Sequence, residues 1–154
     1  MSWWSRLLGG KAKSDLRPQR LDYLNEALAL ERQGDYDAAL TSYRLALRDH
    51  PNDPKILQNM AIAYSRTQRL EEAIRCYRKA LDLAPELSGA HYGLAFLLLK
   101  RDDRSGAIEH LDAFLSQAPA GGDTERWVEH ARQTLTELRS HPVHDDGAAP
   151  DAGV

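Results

Sequence analysis

One interval governs this chain. Pro51, Pro85 and Pro119 are evenly spaced, and Ala27, Ala61 and Ala95 repeat the same step. Ala39, Ala73 and Ala107 keep it too, and so do Leu47, Leu81 and Leu115 and the row Leu40, Ile74, Ile108. Self-similarity at such a period marks an array of repeated supersecondary units, because one unit cannot bury its apolar face alone. Each unit reads as two helices. In the second, Asp53 is an N-cap with Pro54 at the first helical position. Leu57, Met60, Ala61 and Tyr64 then recur along one helical face. Gln68-Arg69 forms a turn, and Leu70, Ala73, Ile74, Tyr77, Ala80 and Leu81 continue at the same spacing before Pro85. Gly34-Asp35 and Asp102-Asp103 supply the turns of the other two units. The paired alanines let facing helices approach at the close end of the usual ~8–10 Å range.

These residues resemble the tetratricopeptide repeat family, whose pattern is W-x2-L-G-x2-Y, then A-x3-F, then P. The first part reads Tyr23-x2-Glu26-Ala27-x2-Leu30, Leu57-x2-Met60-Ala61-x2-Tyr64 and His91-x2-Leu94-Ala95-x2-Leu98. The second reads Ala39-x3-Tyr43, Ala73-x3-Tyr77 and Ala107-x3-Leu111. Glu26 and His91 depart from the pattern. The resemblance implies an all-α fold, a right-handed solenoid of helical hairpins. Three units are expected over 17–52, 53–86 and 87–119. A capping helix over 120–140 is expected to start near Asp123 or Thr124. Its stripe is Trp127, Val128, Ala131, Leu135 and Leu138, and its other face is polar. Phe114 replaces the alanines at 46 and 80 and should push that helix outward.

The resemblance also implies a concave surface, lined by the first helices, that holds peptides or helices of a protein partner. The positions expected to face it are Leu21, Leu24, Asn25 and Leu28, then Gln58, Asn59, Ile62 and Arg66, then Tyr92, Phe96, Leu99 and Lys100. Eight of the ten residues from Ala90 to Leu99 are apolar, so this helix must be covered on more than one side. A partner segment would cover it, or else the capping helix or the chain's own N-terminal segment. Gly89 and Gly93 would leave room for a close-lying backbone. A carboxylate clamp of the kind found in co-chaperones of the family is not expected, because of its matching positions only Asn59 fits.

The ends differ from the body. Residues 1–20 carry five basic groups against one acid, residues 21–140 carry 15 against 19, and residues 141–154 carry three Asp and no Lys or Arg. A basic head and linker (1–16) and a disordered acidic tail (141–154) are therefore expected. As a helix, Trp3, Trp4, Leu7 and Leu8 share a face, with Lys11 and Lys13 following. Such a head could lie at a membrane interface, dock into a protein groove on a partner or neighbouring copy, or pack on the first hairpin. It lacks the apolar core of a signal peptide.

Other chemistries find little footing. A single Cys, Cys76, excludes an intramolecular disulfide. His141-x2-His144-Asp145-Asp146 lacks a second ligand pair, so no metal or cofactor is expected. His50, His110 and His130 read as polar-face residues. No phosphate-binding Gly loop or nucleophile elbow is present, and the basic residues form no stripe for nucleic acid. Arg outnumbers Lys 15 to 5, which suggests a bacterial source. The expectation is a non-catalytic adaptor or assembly factor, cytoplasmic or peripheral on the cytoplasmic membrane face. The alternative is a structural subunit that self-associates, head into groove or repeat onto repeat.

Overall fold

A computed structural model describes residues 22–141. Seven α-helices fill this span: α1 (Tyr23–Arg32), α2 (Tyr36–Asp49), α3 (Pro54–Arg66), α4 (Leu70–Leu83), α5 (Ser88–Lys100), α6 (Arg104–Gln117) and α7 (Glu125–Ser140). A short 3-10 turn, Gly122–Thr124, precedes α7. Trp3, Trp4, Leu7, Leu8, Lys11, Lys13 and Leu21 lie outside the described residues, as does the tail beyond His141.

Asp is the main starter. Asp22, Asp35, Asp53 and Asp103 each accept a backbone N–H of the helix that follows, at 2.9–3.2 Å for the shortest bond. Each thereby satisfies an amide that has no partner within its own helix. The turns share one backbone device. Gly34, Gln68 and Asp102 all have positive φ (80°, 61° and 60°), and they hold equivalent places in the three hairpins. The first is a glycine and Asp102 is of a type that enters this region more readily than most, so it is at Gln68 that the hairpin geometry imposes the conformation.

Helices pair as α1–α2, α3–α4 and α5–α6, and each hairpin packs on the next, with α3 also touching α5. Ala27, Ala39, Ala61, Ala73, Ala95 and Ala107 are all fully buried, which is the close approach expected from the paired small residues. One core runs from Ala27 to Ala107 with Leu40, Tyr43, Ile56, Ile74, Leu94 and Leu98 at its centre. A second gathers Ala95, Leu111, Phe114, Ala131 and Leu135 under α7. The final helix begins at Glu125 with Thr124, one of the two expected residues, at its N-cap position, after a 3-10 turn in which Gly121 and Gly122 take positive φ. Trp127 is 43% exposed. The face of α7 that meets the third hairpin is Val128, Ala131, Leu135 and Leu138, and Trp127 stands at its border.

Candidate functional site

The first helices α1, α3 and α5 present the residues in question. Leu24, Leu28, Gln58, Asn59, Ile62, Tyr92, Phe96 and Leu99 are half-buried, and Asn25, Arg66 and Lys100 are exposed. Leu24, Leu28, Ile62 and Leu99 rest on the main core. Asn25 is committed locally, its amide donating to the Asp22 carboxylate at 2.5 Å.

Between the first two hairpins lies an open concavity of about 270 Å³, with Leu28, Tyr36 and Ile62 as apolar wall and Glu31, Asn59, Arg32 and Arg66 as polar edge. A second, of about 170 Å³, follows toward the third hairpin between Ser65, Gln68, Leu70, Leu97 and Lys100. Tyrosines from the second helices bring hydroxyls to this side. The fully buried Tyr43 donates its phenol to Glu31 at 2.5 Å. Burial, and then the Glu31 hydrogen bond, push its pKa well above the usual phenol value. Burial pushes the Tyr77 phenol up to about 12, with Glu31 contributing. Glu31 was absent from the positions expected by sequence. The signal that could have found it is its neighbour Arg32, which is in register with Arg66 and Lys100.

The third hairpin is different. Tyr92 meets Phe96, Phe114 and Trp127 at ring-centroid distances of 4.8, 5.1 and 5.3 Å. Its hydroxyl lies 2.7 Å from His130 Nδ1, and Phe96 stacks on the His130 ring at 4.8 Å. Of the covers weighed for Tyr92 and Phe96, α7 is the one they meet among the described residues. The open stretch therefore lies toward the first two hairpins. Gly93 serves the interior, because a Cβ there would meet the Tyr77 ring, at 2.5 Å from Cζ. At Gly89 it would meet only the Gln58 amide at 3.0 Å. Room at Gly93 is thus taken by Tyr77, which corrects the reading of that glycine as space for a guest backbone.

Two of the histidines read as polar-face residues also make contacts, His130 while exposed and His110 while half-buried. His130 stacks as above. His110 Nδ1 is 2.9 Å from His91 Nδ1, and His91 Nε2 is 2.8 Å from the Pro85 carbonyl. If His91 Nε2–H donates to Pro85, its Nδ1 accepts from His110. Burial, then His91 and Arg78, hold the His110 pKa below the ordinary imidazole value. Cys76 is half-buried, and burial pushes its thiol up, away from nucleophilic use. Among the described residues no three His, Cys, Asp or Glu gather as a metal site, and no helix is long and apolar enough to cross a membrane.

Tetratricopeptide repeat families match residues 19–86 and 59–122. The chain is 31% identical over 91 residues to the peroxisomal targeting signal receptor of Candida glabrata, covering 59% of this chain and 15% of that protein. It is 32% identical over 126 residues to the photosystem I assembly protein Ycf3 of Parasynechococcus marenigrum, covering 78% of this chain and 66% of that one. Among solved structures, the Sgt2 TPR domain from Aspergillus fumigatus superposes with a TM-score of 0.65 at 27% identity, over 85% of this chain and 88% of that one. The type III secretion chaperone SycD of Yersinia enterocolitica, solved with a peptide of the translocator YopD, gives 0.72 at 12% identity. This match covers 77% of this chain and 90% of that one, and it shows a shared fold.

Proposed function

Because the chain belongs to the tetratricopeptide repeat family, we propose that it is a non-catalytic adaptor or assembly factor. It holds an apolar or amphipathic segment of a partner protein in the open concavity between its first two hairpins. The observation that carries this reading is the pairing of an apolar wall, Leu28, Tyr36 and Ile62, with a polar edge on one concave surface. An amphipathic helix or extended segment needs both. The relatives support the class of role: one is named as a targeting-signal receptor, another as an assembly protein. Tyr92 and Phe96 line the far end of the same surface against α7. The Trp-rich head, with Trp3, Trp4, Leu7, Leu8, Lys11 and Lys13, attaches the module to a membrane surface or a larger complex. Such a segment contributes a few apolar side chains at ~1.5–3 kcal/mol each before ordering costs, enough for reversible attachment.

The test places a photocrosslinker at Ile62 and, as control, at Lys79 on α4. Crosslinks from position 62 should map to one apolar or amphipathic partner segment, with few from position 79. Ile62→Glu, with helicity by circular dichroism unchanged, should cut capture at least tenfold. Undiminished capture by that variant would remove the concavity as the binding surface.

A further inference from the structure

Three long cations stand along one edge of the concave side. Arg32, Arg66 and Lys100 each occupy the last turn of a first helix, at the same step as the alanine and proline rows, and all three are exposed. Each complements the negative end of its own helix, which explains a positive charge there but uses no carboxylate. Among the described residues none of the three has a carboxylate within ion-pair distance. The acids of this edge are mostly engaged. Asp35 and Asp103 cap helices, Glu31 accepts from Tyr43, and Glu71 pairs with Arg101 at 3.2 Å. Exposed Asp102 is the exception.

The chain leaves the described region beside this row. Arg104, in the first turn of α6 and just past Lys100, donates to the Leu138 and His141 carbonyls. Arg139 pairs with Asp112 at 2.6 Å. The Arg104 bonds pin the end of α7 next to the α5–α6 turn, and the Arg139 pair ties it to the middle of α6. The segment that follows His141 contains Asp145, Asp146 and Asp151 and no Lys or Arg. At ~3.3 Å per residue, Asp145 can reach about 13 Å from His141 and Asp151 about 33 Å. Neighbouring first helices at about 10 Å spacing put Arg32 about 20 Å from Lys100, so the segment spans the row.

We propose that residues 142–154 lie along this row within the same molecule, Asp145 and Asp146 against Lys100 and Asp151 against Arg66 and Arg32. The occupant is chosen by charge and by exit point. The basic head carries the sign of the row and is repelled by it. Exposed ion pairs are individually weak, but a short tether holds the segment at an effective concentration of about millimolar. The small Ala, Gly and Pro side chains between the aspartates let the backbone lie close to the edge. Arg32 and Arg66 also border the concavity, so the segment and a partner meet at shared residues. The inference stands whether or not a partner binds there.

The test is zero-length carbodiimide coupling of the purified full-length chain, with crosslinks in the monomeric fraction mapped by mass spectrometry. Lys100 should couple to Asp145 or Asp146 at least tenfold more than Lys55 or Lys79 couples to any of the three aspartates. Salt at 0.5 M should lower that yield at least fivefold, and the double variant Arg32→Gln, Arg66→Gln at least threefold. Three results would overturn the proposal: no Lys100 link, links concentrated on Lys11 or Lys13, or links confined to covalent dimers. The last would assign the row to a second copy.

Discussion

Two glycines on one helix make opposite predictions. Replacing Gly93 with Ala inside α5 gains about 1 kcal/mol of helix propensity, and replacing Gly89, in the first turn, gains less. At Gly89 the new methyl meets only the Nε2 end of Gln58, at 3.0 Å, and a flexible side chain moves aside. At Gly93 it meets the Tyr77 hydroxyl and ring, 2.5 Å from Cζ and 3.0 Å from Cε2. Tyr77 is 5% exposed within the main core, so its ring cannot swing into solvent. Overpacking of this kind costs ~1–3 kcal/mol. The net effect of Gly93→Ala is thus a loss of about 1 kcal/mol, against a gain of about 0.5–1 kcal/mol for Gly89→Ala. With a urea slope of ~1–3 kcal/mol/M, the two variants should unfold roughly 1 M apart by circular dichroism. Tyr77→Phe in the Gly93→Ala background removes the nearest atom and should recover part of the loss. Equal stabilisation by both glycine replacements would refute the assignment of Gly93 to the tyrosine contact.

Other expectations follow from the same structure. Phe114→Ala should cost ~3–5 kcal/mol, because Phe114 is 3% exposed at the centre of the core under α7. Hydrogen exchange should then show α7 losing protection before α3 or α4 does. His110 has a depressed folded-state pKa, so just below the unfolded value of ~6.5 the unfolded chain binds more protons and stability falls with acidification. The urea midpoint should therefore drop between about pH 7.5 and about pH 5.5, and His110→Gln should narrow the drop. An unchanged drop in that variant would move its origin elsewhere.

Much of the fold is legible because stacking repeats impose one arithmetic on the chain. Asp53-Pro54 announces its helix, and the alanine rows announce which faces meet. What escapes the arithmetic is contact made by reach. Tyr77 and Gly93 belong to different hairpins, and nothing in their spacing says that a phenol crosses beneath the next helix. His91 and His110 face each other from the two arms of the third hairpin, a meeting set by hairpin closure and not by periodicity. Tyr92 and Phe96 read correctly as residues needing cover, but which of several covers they meet depends on the angle at which α7 returns. The row of Arg32, Arg66 and Lys100 is periodic too. It stays hidden while only apolar positions are aligned, because each cation has a sufficient local reason to sit at a helix end.

The outward side of α7 sets a boundary on how these molecules can join. Glu125, Arg126, Glu129, Arg132, Gln133, Thr136 and Glu137 are all exposed there. A hairpin from another molecule adds to a stack only by exchanging water for oily contact, and apart from the part-exposed Trp127 this surface offers little. Among the described residues, this end disfavours head-to-tail concatenation into an open fibre without any steric wall, simply by wettability.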